Sequence, residues 1–196
     1  MLITFEGIDG SGKSTQAKLL AENLTKLGFN VVLTKEPGGT EFGSYIRNIL
    51  LTVEMDPVSE FLLFASDRKT HIKEIIKPSL EKGFVVISDR YHDSSVAYQG
   101  YGRGVSLEFI KYVHDFILDG YIPHLTILVD IDENTSFLRI KDKDRIEKLG
   151  TDFLKKVRFG YLEMAYNNER FFTVDGSKSI GEIEQIVLNK VMELLK

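Results

Sequence analysis

The stretch Gly7-Ile8-Asp9-Gly10-Ser11-Gly12-Lys13-Ser14 constrains this chain more than any other. Its spacing, G-x-x-x-x-G-K-S, is the phosphate-binding loop pattern. The glycines admit backbone angles that residues with a β-carbon avoid, so consecutive N–H groups can converge on one anion. Lys13 supplies a mobile point charge for the outer phosphates, and the Ser14 hydroxyl suits a Mg²⁺ ion that also bridges nucleotide oxygens. An accidental glycine turn would lack the context that gives the pattern meaning, a strand entering and a helix leaving. Both are readable. Leu2-Ile3-Thr4-Phe5 is apolar and β-rich. From Lys13 to Leu27 the apolar positions Ala17, Leu20, Leu24 and Leu27 follow a helical rhythm, which Gly28 stops. The loop therefore feeds a helix N-terminus, where orphan N–H groups and the helix dipole favour phosphate.

With 196 residues the chain is expected to form one domain with a real core. A net charge of −4 and a pI near 5.6 argue against a general nucleic-acid binder, which carries a basic excess on one face. The absence of cysteine excludes disulfides, thiolate catalysis and a cysteine zinc site. The histidines at 71, 92, 114 and 124 are scattered without metal-ligand spacing. No basic, then apolar, leader pattern is present, and no apolar run reaches the ~18 residues of a membrane span. A soluble, cytoplasmic protein without a membrane partner is the expectation.

The rest of the chain alternates short apolar runs with helical stretches. Strands are expected at Asn30–Thr34, read as buried, at Phe84–Ser88, Leu125–Asp130 and Phe171–Val174. Helices are expected at about Glu41–Thr52, Pro57–Ile76, Ser106–Asp119, Thr151–Arg170 and Ser179–Leu195. Two stretches give no clear element: the polar and aromatic run His92–Arg103, and the charge-dense run Ser136–Gly150. This pattern implies an α/β fold, a five-stranded parallel sheet with helices on both faces. In such sheets ligands sit beyond the carboxyl ends of the strands. The loops after strands one to four should therefore line one cleft.

Several nucleotide-binding classes share such a beginning. A GTPase needs an Asn-Lys-x-Asp loop after a strand, but the Asn189-Lys190 pair falls inside the last helix and is followed by Val-Met. Motors and helicases end a second strand in adjacent carboxylates, which Asp130-Ile131-Asp132-Glu133 imitates only loosely. Asp89-Arg90 is more informative, because planar guanidinium groups grip phosphate oxygens in bidentate fashion. Arg68, Arg90 and an arginine from Ser136–Gly150 are candidates for phosphoryl transfer, where catalysis is mostly positioning and charge stabilisation. Each arginine alone reads equally as a solvated surface residue, and the charge-dense run equally as a mobile lid or a solvated loop. Phe64, beside Phe61 and Leu62, reads on its own as core.

Taken together, five blocks resemble the bacterial thymidylate kinase family. They are Phe5-Glu6-Gly7 through Gln16, Glu36-Pro37-Gly38-Gly39-Thr40, and Leu63-Phe64-Ala65-Ser66-Asp67-Arg68. Asp89-Arg90-Tyr91 with Ser94-Ser95-x-Ala97-Tyr98-Gln99-Gly100 follows, then Asp144-Arg145-Ile146-Glu147 before Asp152-Phe153. They stand in family order between residues 3 and about 175. The resemblance implies transfer of the ATP γ-phosphoryl group to dTMP with Mg²⁺, a nucleoside monophosphate kinase fold with a lid at about 139–151, and a homodimer. It implies that Gly7, Ile8, Asp9, Gly10, Ser11, Gly12 and Lys13 hold the ATP phosphates, and that Ser14 holds Mg²⁺ with Asp89 as an indirect partner. Asp9 would meet the deoxyribose 3′-hydroxyl or the acceptor phosphate. Arg90 and Arg68 would grip that phosphate, assisted by Arg47. Phe64 would stack on the base, Ser95 and Gln99 would read its polar edge, and Tyr98 would sit under the sugar. Eukaryotic-type relatives carry an arginine where this chain has Gly10, and the bacterial pattern takes that arginine from the lid. Here the lid is about two residues short, and its expected arginine-rich run reads Arg139-Ile140-Lys141-Asp142-Lys143. Arg139 and Arg145 remain as candidates for the catalytic arginine, beside Lys13 and Arg90. Arg145 reads equally as a residue that orders the lid by pairing with Asp144 or Glu147.

Overall fold

The computed structural model describes residues 1–139, 145 and 149–195. Five strands, β1 (Leu2–Glu6), β2 (Val31–Lys35), β3 (Val85–Asp89), β4 (Leu125–Asp130) and β5 (Phe171–Asp175), form one sheet in the order β2-β3-β1-β4-β5. All four pairings are parallel. The central strands are apolar and buried on both faces, as a parallel sheet between helices requires. β2 lies at the edge, with Leu33 46 % exposed. That corrects the expectation of a buried strand: edge position follows from the chain's path across the sheet, which an apolar run does not reveal.

The helices are α1 (Lys13–Lys26), α2 (Glu41–Thr52), α3 (Pro57–His71), α4 (Lys77–Glu81), α5 (His92–Ser95), α6 (Leu107–Ile117), α7 (Glu133–Arg139), α8 (Thr151–Tyr166) and α9 (Ile180–Leu194). On one face α1 and α9 bury Leu20, Leu24, Val187 and Val191 against Phe5, Ile87, Ile127 and Val129 of the sheet. Near its carboxyl end a second cluster joins Ile8, Tyr98, Leu128, Val157 and Tyr161.

The structure departs from the sequence reading in three further places. The helix expected to end near Ile76 continues through a wide π turn, Ile72–Ile76, into α4. Pro78 lies just inside α4, where it brings no N–H to a helical hydrogen bond, and the widened turn precedes it. The run His92–Gly102 is helical, α5 passing into a π segment, Val96–Gly102. Such segments shift the side-chain phase, and here consecutive residues Tyr98 and Gln99 both line the cleft. Finally, α7 begins inside what read as a strand-end acidic cluster, because Asp132 Oδ1 accepts from the backbone N–H groups of Asn134 and Thr135 and caps the helix. The lid expected at about 139–151 lies outside the described residues, except for Arg139, Arg145 and residues 149–151.

Candidate active site

Strand β1 delivers the chain directly into the phosphate-binding loop. Gly7 has φ 140°, and a Cβ there would stand 2.5 Å from the Val129 carbonyl oxygen of the neighbouring strand. Only glycine passes at this point. Gly12, at φ 95°, turns the loop into α1, whose first two residues are Lys13 and Ser14. Lys13 Nζ lies 3.3 Å from Asp9 Oδ1, and the Ser14 side is exposed at the helix start. Asp89 ends β3 in register with Phe5, at the loop end of the sheet. Its buried Oδ1, like the buried Ser11 hydroxyl, has no hydrogen-bond partner among the described residues. Buried polar atoms carry a cost unless paired. An orphaned carboxylate oxygen beside a phosphate loop therefore suits a hydrated cation, and Ser14 and Asp89 fit Mg²⁺.

Arg90 follows β3 with φ 73°, a left-handed conformation unusual for a residue with a side chain. Its N–H donates to Phe5 O at 2.9 Å and its carbonyl accepts from the Ser88 hydroxyl at 2.7 Å, which hold the turn. The turn aims the guanidinium across the sheet end. Nη2 donates to Asp9 Oδ1 at 2.5 Å and to Tyr98 Oη at 3.0 Å, while Nη1 donates to the Gly7 carbonyl, Ser94 Oγ and Tyr161 Oη. Tyr98 in turn donates its hydroxyl to Asp9 Oδ2 at 2.7 Å. Burial pushes the Asp9 carboxyl up, but Arg90, Lys13 and the Tyr98 hydroxyl outweigh it and hold it well below the usual carboxylate range. For Arg90, burial works against the charge, and Asp9 more than offsets it, keeping the guanidinium protonated.

Below this pair sits Glu6, wholly buried, whose carboxyl accepts from Tyr91 N, Ser94 Oγ and Tyr161 Oη at 2.8, 2.6 and 2.9 Å. Burial, reinforced by the Asp93 charge, raises its pKa to about 7 against the pull of Arg90 and the two hydroxyls. Sequence reasoning gave no role to Glu6, Ser94 or Tyr161. A charged residue closing an apolar strand was the available signal for Glu6. Tyr161, on the apolar face of α8 with Leu154 and Val157, carried none.

A cleft of about 580 Å³, counted out to its open mouth, is walled by Asp9 and Arg90 together with Phe64, Ser95, Tyr98, Gln99, Pro37, Arg47 and Leu50. Phosphate-binding and aromatic-lined ends therefore meet at Arg90. Arg47 Nη1 donates to the Pro37 carbonyl at 3.2 Å and lines the wall. The Glu36–Pro37 peptide bond of that wall is cis.

Arg68 takes a different place from the one expected. It is 1 % exposed and stands behind the wall. Nε donates to Glu36 Oε2 at 2.7 Å, Nη1 to Ser95 Oγ and to His114 Nε2 at 3.1 Å each, and Nη2 to the Tyr91 carbonyl at 3.1 Å. His71 Nδ1 closes the other side of Glu36 at 2.8 Å. With four of its five N–H groups engaged by the protein, this buried guanidinium holds two cleft residues, Glu36 and Ser95, and does not itself line the cleft.

The two candidate arginines of the lid are separated. Arg139, at the end of α7, donates to the Gly10 carbonyl at 3.3 Å and the Gly176 carbonyl at 3.4 Å, and Ser136 of the same helix donates to the Asp9 carbonyl at 2.6 Å. Helix α7 thus rests on the phosphate loop. Arg145 points elsewhere, with Nη2 on Glu60 Oε2 at 2.5 Å and Nε on the Leu50 carbonyl at 3.0 Å. A wholly buried carboxylate at Glu60 needs such a partner. Asp130 is matched in the same way by both ends of Arg158, at 2.7 and 2.8 Å, so the acidic run after β4 is engaged away from the loop.

A family model described as thymidylate kinase matches residues 5–187. The chain is 46 % identical to the thymidylate kinase of Sulfurihydrogenibium sp. (strain YO3AOP1), over 97 % of this chain and 96 % of that one. It is 43 % identical to the thymidylate kinase of Halothermothrix orenii, with the same coverage. Among solved structures, a thymidylate kinase from Ehrlichia chaffeensis superposes with a TM-score of 0.80 at 38 % identity, covering 100 % of this chain and 98 % of that one. With the loop, the arginine-lined cleft and the parallel sheet in place, the chain belongs to the thymidylate kinase family.

Proposed function

We propose that this kinase transfers the γ-phosphoryl group of ATP to dTMP, yielding dTDP and ADP. The observation that carries the reading is Arg90, whose guanidinium stands where the phosphate-binding loop meets the aromatic-lined cleft. The loop amides and Lys13 take the donor phosphates. The cleft takes the nucleoside, with Phe64 against the base, Ser95 and Gln99 at its polar edge and Tyr98 under the sugar. Arg90, with Arg47 beside it, holds the acceptor phosphate, and Asp9 orients Arg90 and meets the sugar hydroxyl or that phosphate. Arg139 is the arginine that meets the transferred group, because it already lies against Gly10. No general base is needed, since the acceptor phosphate is ionised and catalysis is positioning and charge stabilisation. Ser14 and Asp89 would hold Mg²⁺, which would neutralise charge on the donor phosphates.

The enzyme is read as cytoplasmic, where its nucleotide substrates are, and as a homodimer. Among the described residues no helix is long and apolar enough to cross a membrane. The adjoining helices α3 and α6 expose Val58, Leu62, Phe109, Tyr112 and Phe116, the last 81 % exposed, and a self-complementary contact would cover them.

ADP release is measured with Mg·ATP and, in parallel, dTMP, dUMP, UMP, dCMP and thymidine. Preference for dTMP is expected, with UMP and thymidine poor. Equal use of UMP would overturn the sugar and base assignments, and ATP binding without transfer to any acceptor would overturn the activity.

A further inference from the structure

Glu60 sits in the first turns of α3, wholly buried, and three segments converge on its carboxylate. Gln99 Nε2 donates to Oε1 at 3.0 Å, Arg145 Nη2 to Oε2 at 2.5 Å, and Arg103 Nη2 lies 3.9 Å from Oε2. A carboxylate only accepts, so the end of the Gln99 amide that faces it must be the NH₂ group. The other end, Oε1, has no hydrogen-bond partner among the described residues, and Gln99 lines the cleft beside Phe64 and Ser95. Glu60 thereby decides which face of an otherwise symmetric-looking amide the cleft meets. It meets an acceptor. Next to it, Ser95 Oγ already accepts from Arg68 Nη1, so its own proton is free to be donated. His114, which accepts from the same Nη1, keeps that guanidinium in place. Burial lowers the His114 pKa to about 2, so its ring is neutral and can accept.

We propose that Glu60 is the positioning residue for acceptor-base selectivity. An acceptor beside a donor matches a pyrimidine with N3–H and a 4-oxo group, and opposes one with an unprotonated N3 and a 4-amino group. A site with its polar groups pinned rejects the wrong partner because they would be left unpaired. Nothing in the Gln99 side chain imposes this polarity; without a fixed acceptor behind it, the amide could rotate to serve either base. The same carboxylate binds Arg145, which is thereby tied to the base-reading edge. The inference rests on the dTMP reading above.

The test compares dTMP with 5-methyl-dCMP, which differ only along the edge in question, in wild type and Glu60→Gln. An amide at position 60 can pair with Gln99 in either orientation. The ratio of kcat/KM for the two acceptors should fall at least tenfold, through KM for dTMP, while kcat on dTMP changes less than about threefold. The double variant Glu60→Gln/Gln99→Glu restores a carboxylate–amide pair with its second carboxylate oxygen toward the cleft, and should recover the ratio. An equal fall for both acceptors, or a double variant no more selective than the single one, would show a structural role only. Failure of wild type to use dTMP would instead sink the underlying reading.

Discussion

Arg90 and Asp9 are joined end to side at the floor of the cleft, Nη2 to Oδ1 at 2.5 Å, although 81 residues separate them. The pair is ready-made. Asp9 keeps the guanidinium in one place, and Tyr98, whose ring lies 4.9 Å from the Arg90 guanidinium carbon, packs against it and bonds both partners. Preorganised charge of this kind is what phosphoryl transfer needs, since little reorganisation is left for the reaction itself.

Replacing Arg90 by alanine is therefore expected to lower kcat by about 10³-fold or more, the scale at which arginines contribute to phosphoryl transfer. ATP affinity should stay within a few-fold, because the loop amides and Lys13 bind the donor without it. Calorimetric ATP binding alongside steady-state rates checks both halves. Near-full activity in Arg90→Ala would remove the guanidinium from the reaction.

Arg139 and Arg145 offer a cleaner contrast. Arg139 lies on the Gly10 carbonyl of the loop and the Gly176 carbonyl, while Arg145 is held by Glu60. Arg139→Ala should cost about 10² to 10³ in kcat with little change in the KM for dTMP. In Arg145→Ala the dominant change should be a higher KM for dTMP, because the Glu60–Gln99 edge loosens. A kcat loss in Arg145→Ala equal to that in Arg139→Ala would put both arginines on the transferred phosphate.

Which parts of this site are legible in sequence depends on how local their causes are. The loop at Gly7–Ser14 is written by backbone geometry, and Asp89-Arg90 by its place at the end of an apolar run. Arg68 is not legible in the same way. Its partners Glu36, Ser95 and His114 are 32, 27 and 46 residues away, and without them a buried clamp and a phosphate grip look alike. Helix α7 was hidden because its start, Asp132, resembles an acidic strand end until its side chain is seen capping the backbone. Likewise Leu33 has the residue type of a core strand, and only the strand order exposes it.

The Arg68 clamp predicts a stability effect, beside its hold on Ser95. Arg68→Ala leaves the Glu36 carboxylate buried with His71 on Oε1 and the Arg68 partner gone from Oε2, and breaking one partner of a buried pair costs about 3–5 kcal/mol. Arg68→Met with Glu36→Gln removes both charges at similar volume and should return more than half of that loss. Urea unfolding of the two variants decides it. Equal losses in both would mean that packing, and not the uncompensated charge, sets the cost.

Two buried carboxyls should make the fold less stable as pH rises toward neutrality. Glu6 is raised to about 7 by burial and the Asp93 charge, and Asp67 to about 6 by burial and the Glu36 charge. Between the ordinary carboxylate range and these values the folded chain binds more protons than the unfolded chain. Stability therefore falls as pH rises through that window, then levels off. Asp9 acts with the opposite sign, its contribution present above the usual carboxylate pKa and lost only in stronger acid. Glu6→Gln separates these effects, because it removes one titrating group at nearly unchanged volume while keeping a carbonyl for Tyr91 N, its NH₂ end then donating to the Ser94 and Tyr161 hydroxyl oxygens. The substitution should be more damaging at pH 5 than at pH 8, with a difference on the order of 2 kcal/mol from the size of the Glu6 displacement. Urea midpoints of wild type and variant at the two pH values measure it. A penalty that does not change with pH would mean that Glu6 is ionised across the whole range, held so by Arg90 and the three donors around it.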